Sequence, residues 1–164
     1  MNIGDKIVYP MHGAGEITSI EENEVGGVVN SYYVFRLPMG NLKLMLSVDK
    51  VEELGLRELI TPAQVAEVVE VLQAQTETFQ GSWNKRFQSN LERLKTGNIL
   101  DVAAVARNLS RQNNKKKISS GEQRLLDLSR QILISELVYV CNKSPEEITA
   151  WVDELIEIPE TDEQ

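Results

Sequence analysis

The sequence predicts an α+β protein: a small SH3/Tudor-like β-barrel at the N-terminus, followed by a compact domain of five helices. Short β-branched runs separated by glycine and proline fill the first 60 residues. From residue 61 onward, apolar residues recur at helical spacing behind N-cap residues. We therefore divide the chain into a β module, residues 1–58, and a helical module, residues 61–160.

The predicted strands are short and lie between turn residues. "DKIVYP" ends at Pro10, while "SYYVFRLP" and "LKLMLSV" are joined by a turn that contains Gly40. "NEVGGVVN" is predicted to be a hairpin tip, because Gly26 and Gly27 tolerate a positive φ. Four or five such strands favour a small barrel with no room for a substrate cavity.

The five helices are predicted from residues that start and stop helices. "PETDEQ", at the C-terminus, is expected to fray. Two pairs have the spacing of a capping box, in which a Ser side chain and a Glu three residues later each bond the other's backbone N–H. The signals are Thr61 with Pro62, Gly97, Asn98, Ser119 with Glu122, and Ser144 with Glu147.

Positive charge is concentrated in one segment, although the whole chain carries a net charge of −8. Residues 83–131 contain eleven Lys/Arg and four Asp/Glu, a net charge of +7. The other residues contain six Lys/Arg and 21 Asp/Glu, a net charge of −15. This segregation predicts a local surface for a polyanion such as nucleic acid.

The composition argues against an enzyme or a metal protein. His12 is the only histidine and lies in a glycine-flanked turn, and Cys141 is the only cysteine, so no internal disulfide can form. We expect no catalytic site, metal, cofactor or small-molecule substrate, and we expect Cys141 to be a small buried residue. No apolar run is long enough to span a bilayer and no secretory signal is evident, which predicts a cytoplasmic protein without a membrane partner.

The stretch "GSWNKRFQSN" opens the positive segment and has two interpretations. On a helical wheel, Trp83 and Phe87 share an apolar stripe, and the cations Lys85, Arg86 and Arg93 lie beside it. Trp83 could pack in the core with Phe87 while the cations face solvent. Alternatively, Trp83 could be an apolar wedge at DNA, flanked by cations that bind phosphate.

Several segments, in order, resemble the CarD/CdnL family of bacterial transcription regulators over essentially the whole chain. The matching segments are "GDKIVYPMHGAGEI", "YYVFRL", "GLRELI", "WNKRF" with "LERLKTGN", and "SSGEQRLLDLSRQILISEL". The N-terminal domain of this family is Tudor-like and also occurs in the transcription-repair coupling factor. The resemblance therefore implies the same fold class as the strand and helix patterns.

The resemblance also implies a function. The β module would bind the β subunit of bacterial RNA polymerase, and the helical module would touch promoter DNA just upstream of the −10 element. A tryptophan at the upstream edge of the transcription bubble would then stabilise the open complex, and Trp83 stands in its place. The residues expected to bind DNA are Trp83, Lys85, Arg86, Arg93, Lys115, Lys116, Lys117 and Arg124.

The strand "NLKLML" aligns with the polymerase-contacting edge of the family. The residues expected there are Asn41, Lys43, Leu44, Met45 and Leu46. The alternative function is a protein–protein adaptor on RNA polymerase that makes no DNA contact. We expect a monomer that associates with the nucleoid through polymerase, with a domain-swapped dimer as the alternative because of the sheet edge.

Overall fold

The computed structural model describes residues 1–157, and the predicted frayed tail and the end of the helical module lie outside them. The α+β class is confirmed, with a β module followed by a helical module. The strands are β1 (Lys6–Tyr9), β2 (Gly13–Val25), β3 (Val28–Arg36) and β4 (Lys43–Ser47). After a 3-10 helix (Val48–Leu54) come α1 (Pro62–Gln73), α2 (Trp83–Lys95), α3 (Ile99–Lys115), α4 (Ser120–Cys141) and α5 (Pro145–Ile156).

The strands form one antiparallel sheet in the order β1-β2-β3-β4. Gly26 and Gly27 form the predicted hairpin tip, with φ of +59° and +80°, and Val25 pairs with Val28 beside them. Val8 of β1 exchanges two backbone hydrogen bonds with Arg57, at 2.8 and 3.0 Å. This bridge covers part of the outer edge of β1, whereas β4 pairs only with β3 among the described residues.

The apolar core has two parts. A small cluster of Ile17, Phe35, Leu37 and Leu46 lies within the β module. A larger cluster joins all five helices, and most of its buried residues belong to α3 and α4. The other helices pack around these two, and α4 also contacts β2, which places the sheet against the helical core.

Three Ser/Thr N-caps begin helices where the sequence predicts them. At α1 and α5 the capping box closes in both directions, through Thr61 with Gln64 and through Ser144 with Glu147. At α4 the Ser119 hydroxyl accepts the backbone N–H of Glu122 at 3.2 Å. The Glu122 carboxylate, however, does not close the box. It accepts a long hydrogen bond of 3.4 Å from the Ser119 hydroxyl and its shorter ones from α2.

Buried polar contacts join the two modules. The carboxylate of Glu136 on α4 is 0% exposed and accepts two hydrogen bonds from the Arg57 guanidinium, at 2.7 and 2.8 Å. It also accepts the backbone N–H of Ile60 at 2.8 Å. Nearby, the Ala14 N–H donates to the Ser135 hydroxyl at 2.9 Å. The sheet is therefore packed firmly onto the C-terminal half of α4.

Among residues 1–157, no helix combines the length and the apolar character needed to cross a membrane.

Candidate nucleic-acid interface

Trp83 is the first residue of α2, and its side chain is 45% exposed. Its ring stacks on Phe87, with 5.5 Å between ring centroids and 22° between planes. Its indole N–H donates to Glu122 Oε1 at 3.1 Å. Phe87 packs against the helical core, as the apolar stripe predicts. Trp83 itself is a surface residue with one ring face on Phe87, so the interpretation that it packs in the core is wrong.

Arg86 does not lie on an open basic face, contrary to the helical wheel. Its Nε and Nη2 atoms donate to the Glu122 carboxylate at 2.9 and 3.0 Å. The Glu122 side chain is only 2% exposed, so this ion pair is largely shielded from water. Sequence reasoning missed this pairing because Glu122 is 36 residues away and was assigned to a capping box. Arg86 can offer a phosphate only its remaining N–H groups, two on Nη1 and one on Nη2.

Arg93, another predicted DNA-binding residue, is also paired. Its guanidinium donates to Glu77 at 3.1 Å and lies 3.8 Å from Asp101. Burial raises the pKa of the Glu77 carboxyl. The hydrogen bond and charge of Arg93, the hydrogen bond of Asn108 and the charge of Arg107 together outweigh burial and hold this pKa below its usual value. Arg93 thus helps to fix the segment between α1 and α2.

Two arginines of the positive segment are structural. Arg107 is buried and donates to Glu77 at 2.7 Å and to the Val71 carbonyl at 2.8 Å. Burial lowers the pKa of Arg107, and the charge of Glu77 partly offsets this shift. Arg111 is buried and donates to the carbonyls of α1 and its flanking residue, and to that of Ile156. Part of the +7 charge therefore stabilises the helical core and is not available to a partner.

Five cations of the segment remain exposed and form no ion pair within residues 1–157. They are Lys85, Lys115, Lys116, Lys117 and Arg124. Lys85 follows Trp83 in the first turn of α2, the three lysines lie at the α3–α4 connection, and Arg124 lies in the second turn of α4. The start of α4 lies against Trp83, since a Cβ at Gly121 would be 3.9 Å from the indole ring. Lys85 and Arg124 therefore belong to helices that meet at Trp83, and the three lysines lie in the connection that leads into α4.

A concavity of about 400 Å³ lies between the α1–α2 segment and helices α2 and α3. Arg86, Arg93 and Lys115 line it together with Glu77, so it contains both signs of charge. Phe79, which the sequence interpretation did not single out, also lines this concavity and is exposed. An aromatic ring beside cations is chemically suited to a base and its phosphate.

The predicted polymerase-contacting strand has its expected place at an edge of the sheet, as β4 and the turn before it. Asn41, Lys43 and Met45 are exposed, and Lys43 lies 3.8 Å from Glu21. Leu44 is half-buried against the small core, and Leu46 is buried within it. Leu46 therefore offers a partner only its backbone, because alternate residues of a strand face inward.

The remaining sequence candidates have structural surroundings. The His12 ring stacks near Tyr9, with 4.2 Å between ring centroids, and its Nδ1 lies 3.2 Å from the Pro10 carbonyl. Cys141 is half-buried rather than buried, and burial raises the pKa of its thiol. Within residues 1–157, no group of three or more His, Cys, Asp or Glu could hold a metal ion.

Comparison with known proteins matches both modules. A family model described as "CarD-like/TRCF RID domain" matches residues 1–60. A model described as "CarD, C-terminal domain" matches residues 67–153. The chain is also 32% identical over 149 residues to "Putative transcription factor YdeB" of Bacillus subtilis (strain 168), which covers 91% of this chain and 97% of that protein.

These matches confirm the resemblance drawn from the sequence segments and indicate a transcription-related role that involves RNA polymerase. The chain belongs to the CarD family.

Proposed function

We propose that this protein binds the β subunit of RNA polymerase and promoter DNA at the upstream edge of the −10 element, and thereby stabilises the open complex. The β module makes the polymerase contact, and the end of the helical module that contains Trp83 makes the DNA contact. The observation that supports this most directly is the exposed Trp83 indole, next to exposed cations in an otherwise acidic protein.

The DNA contact is supported by the chemistry of this surface. A half-exposed aromatic ring can insert beside an unstacked base step, and lysines can neutralise the flanking phosphates. The structure narrows the predicted set of residues. Lys85, Arg124 and the three lysines 115–117 are exposed, whereas Arg86 and Arg93 are engaged with carboxylates of the protein itself. We therefore assign the phosphate contacts chiefly to the exposed five.

The polymerase contact is supported by the free edge of β4. An edge strand can add to a strand of a partner through backbone hydrogen bonds, and its outward side chains provide specificity. Lys43 and Met45 are the exposed side chains of this strand. Attachment to polymerase raises the effective concentration of the helical module at the promoter, so weak DNA binding by a protein of net charge −8 is sufficient.

The adaptor without DNA contact remains the second candidate. It is favoured by the pairing of Arg86 and Arg93 with Glu122 and Glu77, which removes two of the predicted phosphate contacts. On this alternative, the lysines face solvent and Trp83 serves only as a cover over Phe87.

The deciding experiment measures open-complex lifetime on a promoter fragment with bacterial RNA polymerase. We expect the wild-type protein to prolong the lifetime and Trp83→Ala to remove this effect. Lys85→Ala should reduce the effect most at low salt, because the loss of a phosphate contact makes DNA binding less dependent on salt. Lys143→Ala is the matched control, because it removes an exposed lysine beyond the opposite end of α4. Circular dichroism confirms that each variant is folded. If Trp83→Ala acts like the wild type while Met45→Glu loses activity, the adaptor function is correct.

A further inference from the structure

We infer that Glu122 is a positioning residue that fixes the indole of Trp83 for its contact with DNA. This inference rests on the proposed function and adds to it a residue outside the predicted interface. It follows from where the Glu122 carboxylate points, from its burial, and from the surroundings of the indole ring.

Glu122 departs from the pattern set elsewhere in the same chain. Glu147 and Gln64 occupy the same third helical position of their helices, and the side chain of each returns to the N-cap backbone N–H. Glu122 also follows its N-cap serine by three residues, but its carboxylate reaches α2 instead. The local cap is thus left half-formed, and the carboxylate is used for a contact between helices.

The carboxylate accepts three hydrogen bonds from α2, in addition to a longer one of 3.4 Å from the Ser119 hydroxyl. Glu122 Oε1 accepts from Trp83 Nε1 at 3.1 Å and from Arg86 Nη2 at 3.0 Å, and Oε2 accepts from Arg86 Nε at 2.9 Å. Glu122 is only 1% exposed, and a buried carboxylate that loses a donor has little access to replacement water. Rotation of the indole away from Glu122 is therefore unfavourable.

The indole ring is restricted on two further sides. One face stacks on Phe87. The absence of a side chain at Gly121 lets the first turn of α4 approach both rings, since a Cβ there would be 3.3 Å from Phe87. What remains open is the part of Trp83 that faces solvent. A ring that is already ordered loses less conformational entropy when it meets DNA than a freely rotating one.

Arg86 completes the arrangement by neutralising Glu122. Without it, a negative charge would lie directly beneath the tryptophan and would repel DNA phosphates. We therefore reassign Arg86 from a phosphate contact to a partner of the positioning carboxylate. This reassignment explains why a cation next to the tryptophan points inward in this structure.

The test compares Glu122→Ala and Glu122→Gln in a Trp151→Phe background, where Trp83 is the only tryptophan. Glu147→Gln is the matched control, because it changes a glutamate at the same helical position whose carboxylate returns to its own N-cap backbone. Acrylamide quenching of fluorescence and hydrogen exchange of the indole N–H report the freedom of the ring. Open-complex lifetime with polymerase reports function, and circular dichroism reports folding.

We expect Glu122→Ala to increase the rate of indole N–H exchange about tenfold, which is the effect of losing a hydrogen bond to a charged group. We also expect this variant to prolong the open complex no more than Trp83→Ala does. Glu122→Gln keeps a hydrogen-bond acceptor, so its indole N–H exchange and its effect on open-complex lifetime should be close to those of the wild type. If the alanine variant does not fold, the glutamine variant is the one that tests the role of Glu122. The inference is overturned if Glu122→Ala leaves both the fluorescence quenching and the indole N–H exchange unchanged. It is also overturned if the indole becomes freer while the variant prolongs the open complex as the wild type does. If Trp83→Ala itself leaves the lifetime unchanged, the proposed function is wrong, and so is this role for Glu122.

Discussion

Removing Arg57 from the contact between the two modules should destabilise the protein more than removing its partner, Glu136. Both side chains belong to one ion pair with two hydrogen bonds of 2.7 and 2.8 Å. Their surroundings differ, because the Glu136 side chain is 0% exposed and that of Arg57 is 28% exposed. The two substitutions therefore leave different groups behind.

The expected magnitudes follow from that difference. Removal of one partner of a buried pair costs about 3–5 kcal/mol, because the other charge is left uncompensated. Glu136→Ala leaves a guanidinium that water can still reach, and we expect a loss near the lower end, about 3 kcal/mol. Arg57→Ala leaves a carboxylate with no access to water and also removes hydrogen bonds to the carbonyls of Gly97 and Glu58. We expect a loss near the upper end, about 5 kcal/mol.

The assay is urea unfolding followed by circular dichroism, for the wild type, both single variants and the double variant. The double-mutant cycle then gives the coupling free energy of the pair. Arg130→Ala is the matched control, because Arg130 lies 2.7 Å from Asp153, whose side chain is 58% exposed. An exposed pair of this length should contribute less than about 1 kcal/mol.

Two results would refute this reasoning. A larger loss for Glu136→Ala than for Arg57→Ala would mean that burial of the carboxylate does not control the energy of the contact. A coupling free energy no larger than the loss in Arg130→Ala would mean that the pair behaves like a surface ion pair, and that apolar packing alone joins the modules.

Two further predictions concern stability. Gly13→Ala should lower the unfolding midpoint more than Gly26→Ala in the same assay. Both glycines have a positive φ, but of the two only Gly13 would bring a Cβ close to another atom, Ser135 Oγ at 2.6 Å. Equal losses would contradict a close approach of β2 to α4. Glu77→Gln should be less stable than the wild type at neutral pH, because arginine contacts lower the pKa of Glu77 in the folded state. The difference should start to shrink as the pH falls below the usual pKa of about 4.5, and it should vanish only below the lowered pKa of the folded state. A difference that persists at pH values where Glu77 is protonated would show that its charge is not responsible.

The elements of the fold were predictable because their signals are local. Thr61 and Ser144 begin helices where capping residues indicate a start, and Gly26 and Gly27 turn the hairpin. The position of β4 at the sheet edge was not a local signal and was implied only by the family resemblance. Burial within that strand was less predictable. The sequence predicts Leu46 to be a polymerase contact, but its side chain is buried in the small core of the β module.

The candidate site was predictable only in part, because its contacts are long-range. The sequence places Arg86 beside Trp83, but the carboxylate that pairs with it is 36 residues away. Arg107 was counted in a positive segment, and its burial depends on the packing of α1 and α3. Charge in sequence therefore overestimates charge at the surface. The sequence shows only the spacing of Ser119 and Glu122, which a capping box explains locally, whereas the burial of Glu122 depends on the packing of α2 against α4.

Helix α4 connects the two contacts on which the proposed function depends. Glu122 holds Trp83 near its start and Glu136 holds the β module near its end, and both carboxylates are buried. The two residues are 14 positions apart, nearly four helical turns or about 21 Å at a rise of about 1.5 Å per residue. No glycine or proline lies between them, so this part of α4 has no usual site for a kink. The buried residues along its length hold it within the helical core. A β module docked on polymerase would therefore determine where the Trp83 indole meets the promoter, with α4 setting the distance.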